Sequence, residues 1–425
     1  MQKFIKNNYE IVEFNEKADV YIINTCTVTN MSDRKSRQVI RKAKQINPNA
    51  ILAVVGCYAQ VAKKELESIK EIDIVLGTAD KDKIIDYITL IIIERENSDI
   101  NYNVKDIHSH LYISNIMHQR KYNEFGAVSY TEKTRAVVKI QDGCDNFCSY
   151  CIIPYARGPV RSRTVESIIL EVEAIAQKGI KEIVITGIHI ASYGKDFKNE
   201  NISLIDILEK LNEIDGIKRI RLGSIEPTLI TEEFVIRLKK LDKICNHFHL
   251  SLQSGCNDTL KRMNRKYTIQ QFENSANILR SNYKDIALTT DIIVGFPGET
   301  DEEFNQTYLF LKGIEFSKMH VFKYSPRKGT KAALMDNQIE GKVKEERSDY
   351  LIQLSSINEN NFAKRNIGKE VDVLFEERVG KFIKGHTNNY IIVNVESEVD
   401  LENKIFKVKI VDIKGNELVG EVIIA

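Results

Sequence analysis

Three cysteines fall within Asp142-Gly-Cys144-Asp-Asn-Phe-Cys148-Ser-Tyr-Cys151, spaced C-x3-C-x2-C, directly after the apolar run Ala136-Val-Val-Lys-Ile140. Three thiolates on so short a loop can converge on one inorganic centre. Iron–sulfur clusters are held by cysteine thiolates, normally four. Three ligands leave one iron without a protein donor, open to a small molecule that brings its own. A structural zinc site wants a fourth nearby Cys or His, and the closest downstream histidine is His189, well outside the loop. A disulfide is disfavoured by the odd count of seven cysteines and by an N-terminus, Met1-Gln-Lys-Phe-Ile-Lys-Asn-Asn, without the apolar segment of an export signal. On spacing alone a zinc knuckle and a disulfide with a spare thiol stay open as alternatives.

A chain of 425 residues has room for two or three domains. Its longest apolar run, Tyr87 to Ile93, is far too short to span a bilayer. Seven cysteines without an export signal point to a reducing, cytoplasmic setting. Net charge is +1, so any nucleic-acid partner has to be gripped by local patches rather than by the whole-molecule field.

Residues 1 to about 95 alternate strands and helices: Ala18–Ile23, a helix from about Ser32 to Gln45, then Ile51–Val55 and Ile72–Leu76. Open α/β sheets place ligands at the carboxyl ends of their strands, and two of these strands lead into Cys26 and Cys57. Each cysteine has a packing reading and a ligand reading. On the helix, Arg34, Arg37 and Arg41 recur at i, i+3 and i+7 and share a face. That face is either a solvated surface or a phosphate contact to RNA. Residues 96–131 have little periodicity and read as a linker, whose His108, His110 and His118 have a metal-binding reading beside the favoured one as solvent-facing residues. From Thr134 to about Pro326 six strand-like runs alternate with helices: Ala136–Ile140, Glu182–Thr186, Arg219–Leu222, Phe248–Leu252, Ala287–Val294 and Met319–Tyr324. Six βα units predict an open parallel barrel with its active site at the strand carboxyl ends. Tyr155, Arg157, Arg161 and Arg163 follow the cysteine loop. Either they stack and pair with an unpaired RNA base, or the arginines pair with helix carboxylates. Cys245 and Cys256 lack ligand spacing. Beyond a helix from Glu345 to about Arg365, period-2 patterns over about 60 residues predict a small antiparallel β-barrel.

The C-x3-C-x2-C spacing, with aromatic Tyr150 before its last cysteine, resembles the radical S-adenosylmethionine (SAM) enzymes. The longer run Gly143-Cys-Asp-Asn-Phe-Cys-Ser-Tyr-Cys-Ile-Ile-Pro-Tyr-Ala-Arg-Gly-Pro-Val-Arg-Ser-Arg163 resembles the tRNA methylthiotransferases, and among them the branch acting on threonylcarbamoyl-adenosine. The likeness covers nearly the whole chain. It implies an N-terminal α/β methylthiotransferase domain (1–95), a linker (96–131), an open (β/α)6 radical SAM partial barrel (132–365) and a C-terminal TRAM RNA-binding β-barrel (366–425).

The same resemblance implies two [4Fe–4S] clusters and SAM. One cluster is carried by Cys144, Cys148 and Cys151. Tyr150, Gly187, Ser224, Glu226, Gln253, Gly295 and Pro297 match positions that contact SAM. Cys26 and Cys57 match two of three cysteines holding the second cluster. The third lies in the family on a loop after the first strand. This chain has no cysteine before Cys26 and opens inside what resembles the first helix, so that strand and loop are expected to be missing from it. The implied reaction cleaves one SAM to methionine and a 5′-deoxyadenosyl radical, which opens C2–H of the modified adenosine at position 37. A second SAM methylates sulfur held at the N-terminal cluster before transfer. The implied partners are the tRNA anticodon loop, gripped by Arg34, Arg37, Arg41, Arg157, Arg161, Arg163, His386 and Tyr390, and an electron donor such as flavodoxin or ferredoxin. Neither DNA nor a membrane is implied. Alternatives are an enzyme acting on isopentenyl-adenosine or on a ribosomal-protein aspartate, or a SAM- and RNA-binding protein that transfers no sulfur.

Overall fold

The structure is a computed structural model describing residues 2–27, 30–97, 110–124, 134–198 and 201–423; His108 lies outside them. The chain divides into two compact units. One comprises residues 1–129, 142–161 and 325–334, the other residues 130–141, 162–324 and 335–425.

In the first unit β1 (Val20–Thr25), β2 (Ile51–Gly56), β3 (Ile74–Leu76) and β4 (His110–Tyr112) form a parallel sheet in that order. β2 reads Ile-Leu-Ala-Val-Val without a polar break and is buried along its whole length, as a parallel strand covered on both faces must be. The helix Asn30–Ile46 covers one face through Ile40 and Ala43. The helix Ile84–Asn97 covers the other through Ile88 and Ile91. Asp73 ties these layers together. Its carboxylate accepts from Leu52 N at 2.7 Å, Lys44 Nζ at 3.1 Å and Arg95 Nη2 at 2.6 Å. β4 falls in the stretch read as a linker. Three residues carry too little periodicity to announce a strand, but β3 supplies the open edge they pair with, and His110 N donates to Asp73 O at 2.9 Å.

In the second unit the parallel strands run in chain order as β5 (Arg135–Asp142), β7 (Glu182–Gly187), β8 (Arg219–Leu222), β9 (His247–His249), β10 (Ala287–Val294) and β11 (Lys318–Lys323). The two-residue β6 (Arg161–Ser162) lies outside β5. β5, β7 and β8 pair in one sheet and β9, β10 and β11 in another. Parallel bridges Ile220↔Ile244 and Ile225↔Leu250 join them, giving the six-stranded open barrel the sequence predicts. Helices such as Val165–Gln177 and Leu204–Asn212 pack outside, burying Ile168, Val172, Ile207 and Leu211 against the strands' apolar face. After the long helix Gly341–Lys364 come β12 (Glu370–Val379), β13 (Phe382–Thr387), β14 (Ile392–Glu396), β15 (Ile405–Lys414) and β16 (Glu417–Val422). They close into a small barrel around Val373, Phe375, Ile383, Val393 and Val408.

The two barrels of this unit meet over a charged layer at the amino ends of β5, β7 and β8. The fully buried carboxylate of Glu182 faces Arg221 Nε at 2.8 Å, Arg135 Nε at 2.9 Å and Arg219 Nη1 at 3.7 Å. From the same arginines, Arg219 donates to His386 O (2.9 Å) and Asp372 O (2.7 Å), and Arg221 to Asn388 O (3.1 Å). The Tyr390 ring lies 4.4 Å from the Arg221 guanidinium and stacks on His386 at 4.7 Å. Burial pushes the Glu182 carboxyl up, but Arg221, Arg135 and Arg219 outweigh it and hold it below the usual carboxylate range. A group with its folded pKa depressed adds stability above its unfolded value and loses it as pH falls through the folded one. Glu182→Leu leaves the guanidiniums uncompensated and is expected to cost about 3–5 kcal/mol in urea denaturation. Its stability should also depend less steeply on pH than the wild type's below about 4.3.

Candidate cluster and cofactor sites

The cysteine loop belongs to the first unit and is pinned at both ends. Gly143 takes φ 74°, and a Cβ there would stand 1.8 Å from Pro159 O, so no other residue fits. Asp142 Oδ1 accepts from Gly143 N at 2.9 Å, and Cys144 N donates to Gly158 O at 3.0 Å. Phe147 adopts the left-handed region at φ 47°, Cys151 N donates to Cys148 O at 3.0 Å, and Ala332 N to Ser149 O at 2.8 Å. The outcome is a tight coil carrying three half-buried thiols, Cys144, Cys148 and Cys151, with Tyr150 half-buried among them. A donor set of three thiols on one fixed loop fits a [4Fe–4S] cluster with one iron left for an outside ligand.

Cys26 and Cys57 follow residues paired in register, Thr25↔Gly56, and so stand at neighbouring strand ends, about 4.8 Å apart in the sheet direction. Cys26 is exposed and Cys57 buried. Arg157, from the helix Ile153–Arg157, donates Nε to Cys57 Sγ at 3.0 Å and Nη1 to Asp142 Oδ2 at 3.4 Å. Arg327 is buried, bonded to Thr27 beside Cys26 and to Asp33 Oδ2 at 2.6 Å. The Arg157 guanidinium thus links the Cys57 thiol to Asp142 at the start of the cysteine loop. The described residues supply two cysteines here, not three.

In the second unit the strand ends bring polar groups together. Gly187 ends β7, where a Cβ would lie 3.0 Å from both Gln141 O and Gln141 Oε1; that Oε1 accepts from His189 N at 2.8 Å. Past β8, Ser224 is exposed and Glu226 is buried. The Glu226 carboxylate is held from two sides, by His189 Nε2 at 3.1 Å and Arg265 Nη2 at 3.3 Å. Arg265 in turn lies over the Tyr267 ring, whose hydroxyl donates to Leu252 O at 2.8 Å. Gln253 has φ 71° and bridges β10, receiving Ile293 N and giving N–H to Asp291 O, both at 2.9 Å. Gly295, at φ 67°, donates N–H to Glu299 Oε2 at 2.6 Å, which Arg347 Nη1 meets at 2.7 Å. Burial raises the Glu299 carboxyl against those partners. Pro297 is buried in the same turn.

The basic residues divide by environment. Arg34 and Arg41 are exposed, whereas Arg37 donates to Tyr58 OH at 2.8 Å. Arg161 is buried, bonded to Arg157 O at 2.7 Å and Pro159 O at 3.0 Å. Arg163 is buried against Glu171 of the helix Val165–Gln177. Each of these two is paired inside the chain, Arg161 to carbonyls of its own loop and Arg163 to a helix carboxylate. His386 and Tyr390 are likewise engaged with the arginine layer. His189 and Arg265 were not singled out as cofactor residues; neither sits in a motif with a fixed spacing, and only the fold brings both to Glu226.

A parallel open barrel with three cysteines on the loop after its first strand is the arrangement of a radical SAM protein, and the profile described as Radical SAM superfamily matches residues 138–311. A second profile, Uncharacterized protein family UPF0004, matches residues 1–77. Among curated relatives, a Threonylcarbamoyladenosine tRNA methylthiotransferase MtaB of Bacillus subtilis (strain 168) is 44% identical over 96% of this chain and 89% of its own. The protein so named in Aquifex aeolicus (strain VF5) is 40% identical over 93% and 92%. A tRNA-2-methylthio-N(6)-dimethylallyladenosine synthase of Thermoanaerobacter sp. (strain X514) is 39% identical over 98% and 88%. The chain belongs to this family of tRNA methylthiotransferases. Of solved structures, the radical SAM methyltransferase TsrM from Kitasatospora setae shares the fold, with TM-score 0.54 and 16% identity over 75% of this chain and 67% of its own.

Gly143→Ala puts a methyl group into a backbone carbonyl. Anaerobically reconstituted, it is expected to lose the loop's share of about four irons per chain, read by iron and sulfide analysis.

Proposed function

We propose that the chain methylthiolates C2 of N6-threonylcarbamoyladenosine at position 37 of tRNA. The observation that carries this reading is its 44% identity, over 96% of its length, to a relative named for that substrate. The dimethylallyladenosine synthase at 39% favours isopentenyl-adenosine as the second reading.

In this reading Cys144, Cys148 and Cys151 hold a [4Fe–4S] cluster which, when bound, supplies the electron that cleaves SAM. Glu226 accepts from a ribose hydroxyl while His189 and Arg265 fix its rotamer. Gly187 lets the SAM amino group approach backbone, and Ser224, Gln253, Gly295 and Pro297 border the rest of the cofactor. Cys26 and Cys57 are thiolates of a second, sulfur-handling cluster, with Arg157 holding Cys57. The exposed Arg34 and Arg41 contact tRNA phosphates, which position a nucleic acid without reading its sequence. The small barrel adds to that grip. Electrons come from a flavodoxin- or ferredoxin-type donor. Oxygen-sensitive thiolate sites suit the cytoplasm; among the described residues no helix is long and apolar enough to cross a membrane. Neither DNA nor membrane has a role in this reading.

Mass spectrometry of nucleosides from tRNA incubated with enzyme, SAM, sulfide and reductant is expected to show a gain of one methylthio group on threonylcarbamoyl-adenosine. A gain on isopentenyl-adenosine instead selects the second reading. SAM cleavage and tRNA binding without either product would leave a binding protein that transfers no sulfur. Iron should be roughly eight per chain, falling to about four in the Cys144/Cys148/Cys151→Ala variant, if both clusters form; about four falling to none means the second does not. Glu226→Gln weakens a charged hydrogen bond and should lower SAM affinity about tenfold by equilibrium dialysis.

A further inference from the structure

At the foot of the partial barrel, within the second unit, lies a cavity of about 440 Å³. It is walled by the start of the strands (His247, Thr289, Lys318), the end of the long helix (Phe362) and the small barrel (Tyr390, Ile391). The cofactor-facing residues lie at the other end of the same strands. β10 alone has eight residues, which at about 3.3 Å each put roughly 23 Å between the two ends. The size is that of a small-molecule site.

The walls are ring-rich, and their charged members are paired. His247, His249, His320 and His386 all border the space, with the Tyr390 ring stacked on His386 at 4.7 Å and 5.1 Å from His247. Lys318 Nζ is taken by Glu359 at 2.9 Å, and Glu417 faces Lys384 at 3.3 Å. Burial, then the nearby Arg221 charge, push His247 down to about 3, and burial lowers His320. His247 therefore stays a neutral imidazole at neutral pH, and the lining cation Lys318 is already paired with Glu359, which gives a phosphate or carboxylate little. The imidazoles do not converge on a metal either. Among the described residues the group within ligating reach of one ion is Cys256, Asp258 and Glu303, elsewhere in the unit. His247 Nε2 faces Thr289 Oγ1 at 3.3 Å, while its buried Nδ1 has no hydrogen-bond partner; His249 Nε2 faces the Asp291 carboxylate at 3.2 Å. A buried ring nitrogen without a partner is unfavourable, and a ligand that supplies one recovers the loss.

We propose that this cavity binds a purine base, stacked among the imidazole and tyrosine rings, with a ring-edge nitrogen or amino group meeting His247 Nδ1. A purine is planar, uncharged and edged with both donors and acceptors, and aromatic side chains bind bases by stacking irrespective of their sequence. The base reaches the cavity either as a free nucleoside or as an unpaired nucleotide of RNA. The site is separate from the cofactor end and does not depend on the proposed reaction.

The test is fluorescence titration of 2-aminopurine riboside into the full reconstituted chain with SAM in excess, so that the cofactor's own adenine site is filled. Saturable quenching is expected, weakened at least tenfold in His247→Phe and restored in His247→Asn, whose amide can occupy the place of Nδ1. Thermal melting of each variant separates lost binding from lost fold. Should His247→Phe melt early, His320→Leu on the partly exposed wall is expected to show the same weakening. Displacement by tRNA identifies RNA as the source, and displacement by adenosine alone identifies the free nucleoside. Absence of saturable quenching with SAM present, or wild-type affinity in a folded His247→Phe or His320→Leu, overturns the proposal.

Discussion

Parallel strand pairing is the constraint on which both units rest. Parallel neighbours start at one edge and finish at the other, so every residue just past a strand is delivered to the same side of its sheet. In the first unit that rule brings Cys26 and Cys57 together, through the register Thr25↔Gly56, although 31 positions separate them in sequence. In the second it gathers Gly187, Glu226, Gln253 and Gly295 from four different strands. No local motif is needed for either gathering. The opposite edges are then free for a different job, and there the chain places charge. The Glu182 layer sits at the amino ends, where the small barrel docks.

Both units use one buried carboxylate as a tie, in different ways. Asp73 satisfies a backbone N–H and two cations from the helices on either face of its sheet, so it fixes layers that apolar packing alone would let slide. Glu182 meets three guanidiniums, two of which also donate to backbone carbonyls of the small barrel. Burying ions is costly and is repaid only by good geometry and full hydrogen bonding. Planar guanidiniums with several donors each can serve the carboxylate and the neighbouring barrel at once.

Much of this was legible in the sequence. The six strands of the partial barrel and three of the four strands in the first unit are legible as apolar runs bounded by turn residues, most densely where a strand such as β2 or β8 is buried along its whole length. β4 was missed because three residues carry no period. The cysteine loop was legible because its ligands are adjacent in sequence. The surroundings of Glu226 were only half legible: Glu226 could be matched to a known pattern, while His189 and Arg265 reach it from separate strand ends by contacts that no spacing encodes.

The arginines show where sequence reasoning stops. Arg157, Arg161 and Arg163 form one basic cluster on paper, and a charge count cannot tell a surface for RNA from a set of internal braces. Arg163 is spent on Glu171 and Arg161 on the carbonyls of its own loop. Arg157 spans from the Cys57 thiol to the first residue of the cysteine loop. Of the three, Arg157 touches a thiol. On the helix Asn30–Ile46 the two outer members of the basic face, Arg34 and Arg41, stay exposed while the middle one, Arg37, turns in to Tyr58. In the proposed reading, with a net charge of only +1, such local faces do the steering, and salt should weaken an RNA complex in proportion to the phosphates they neutralise.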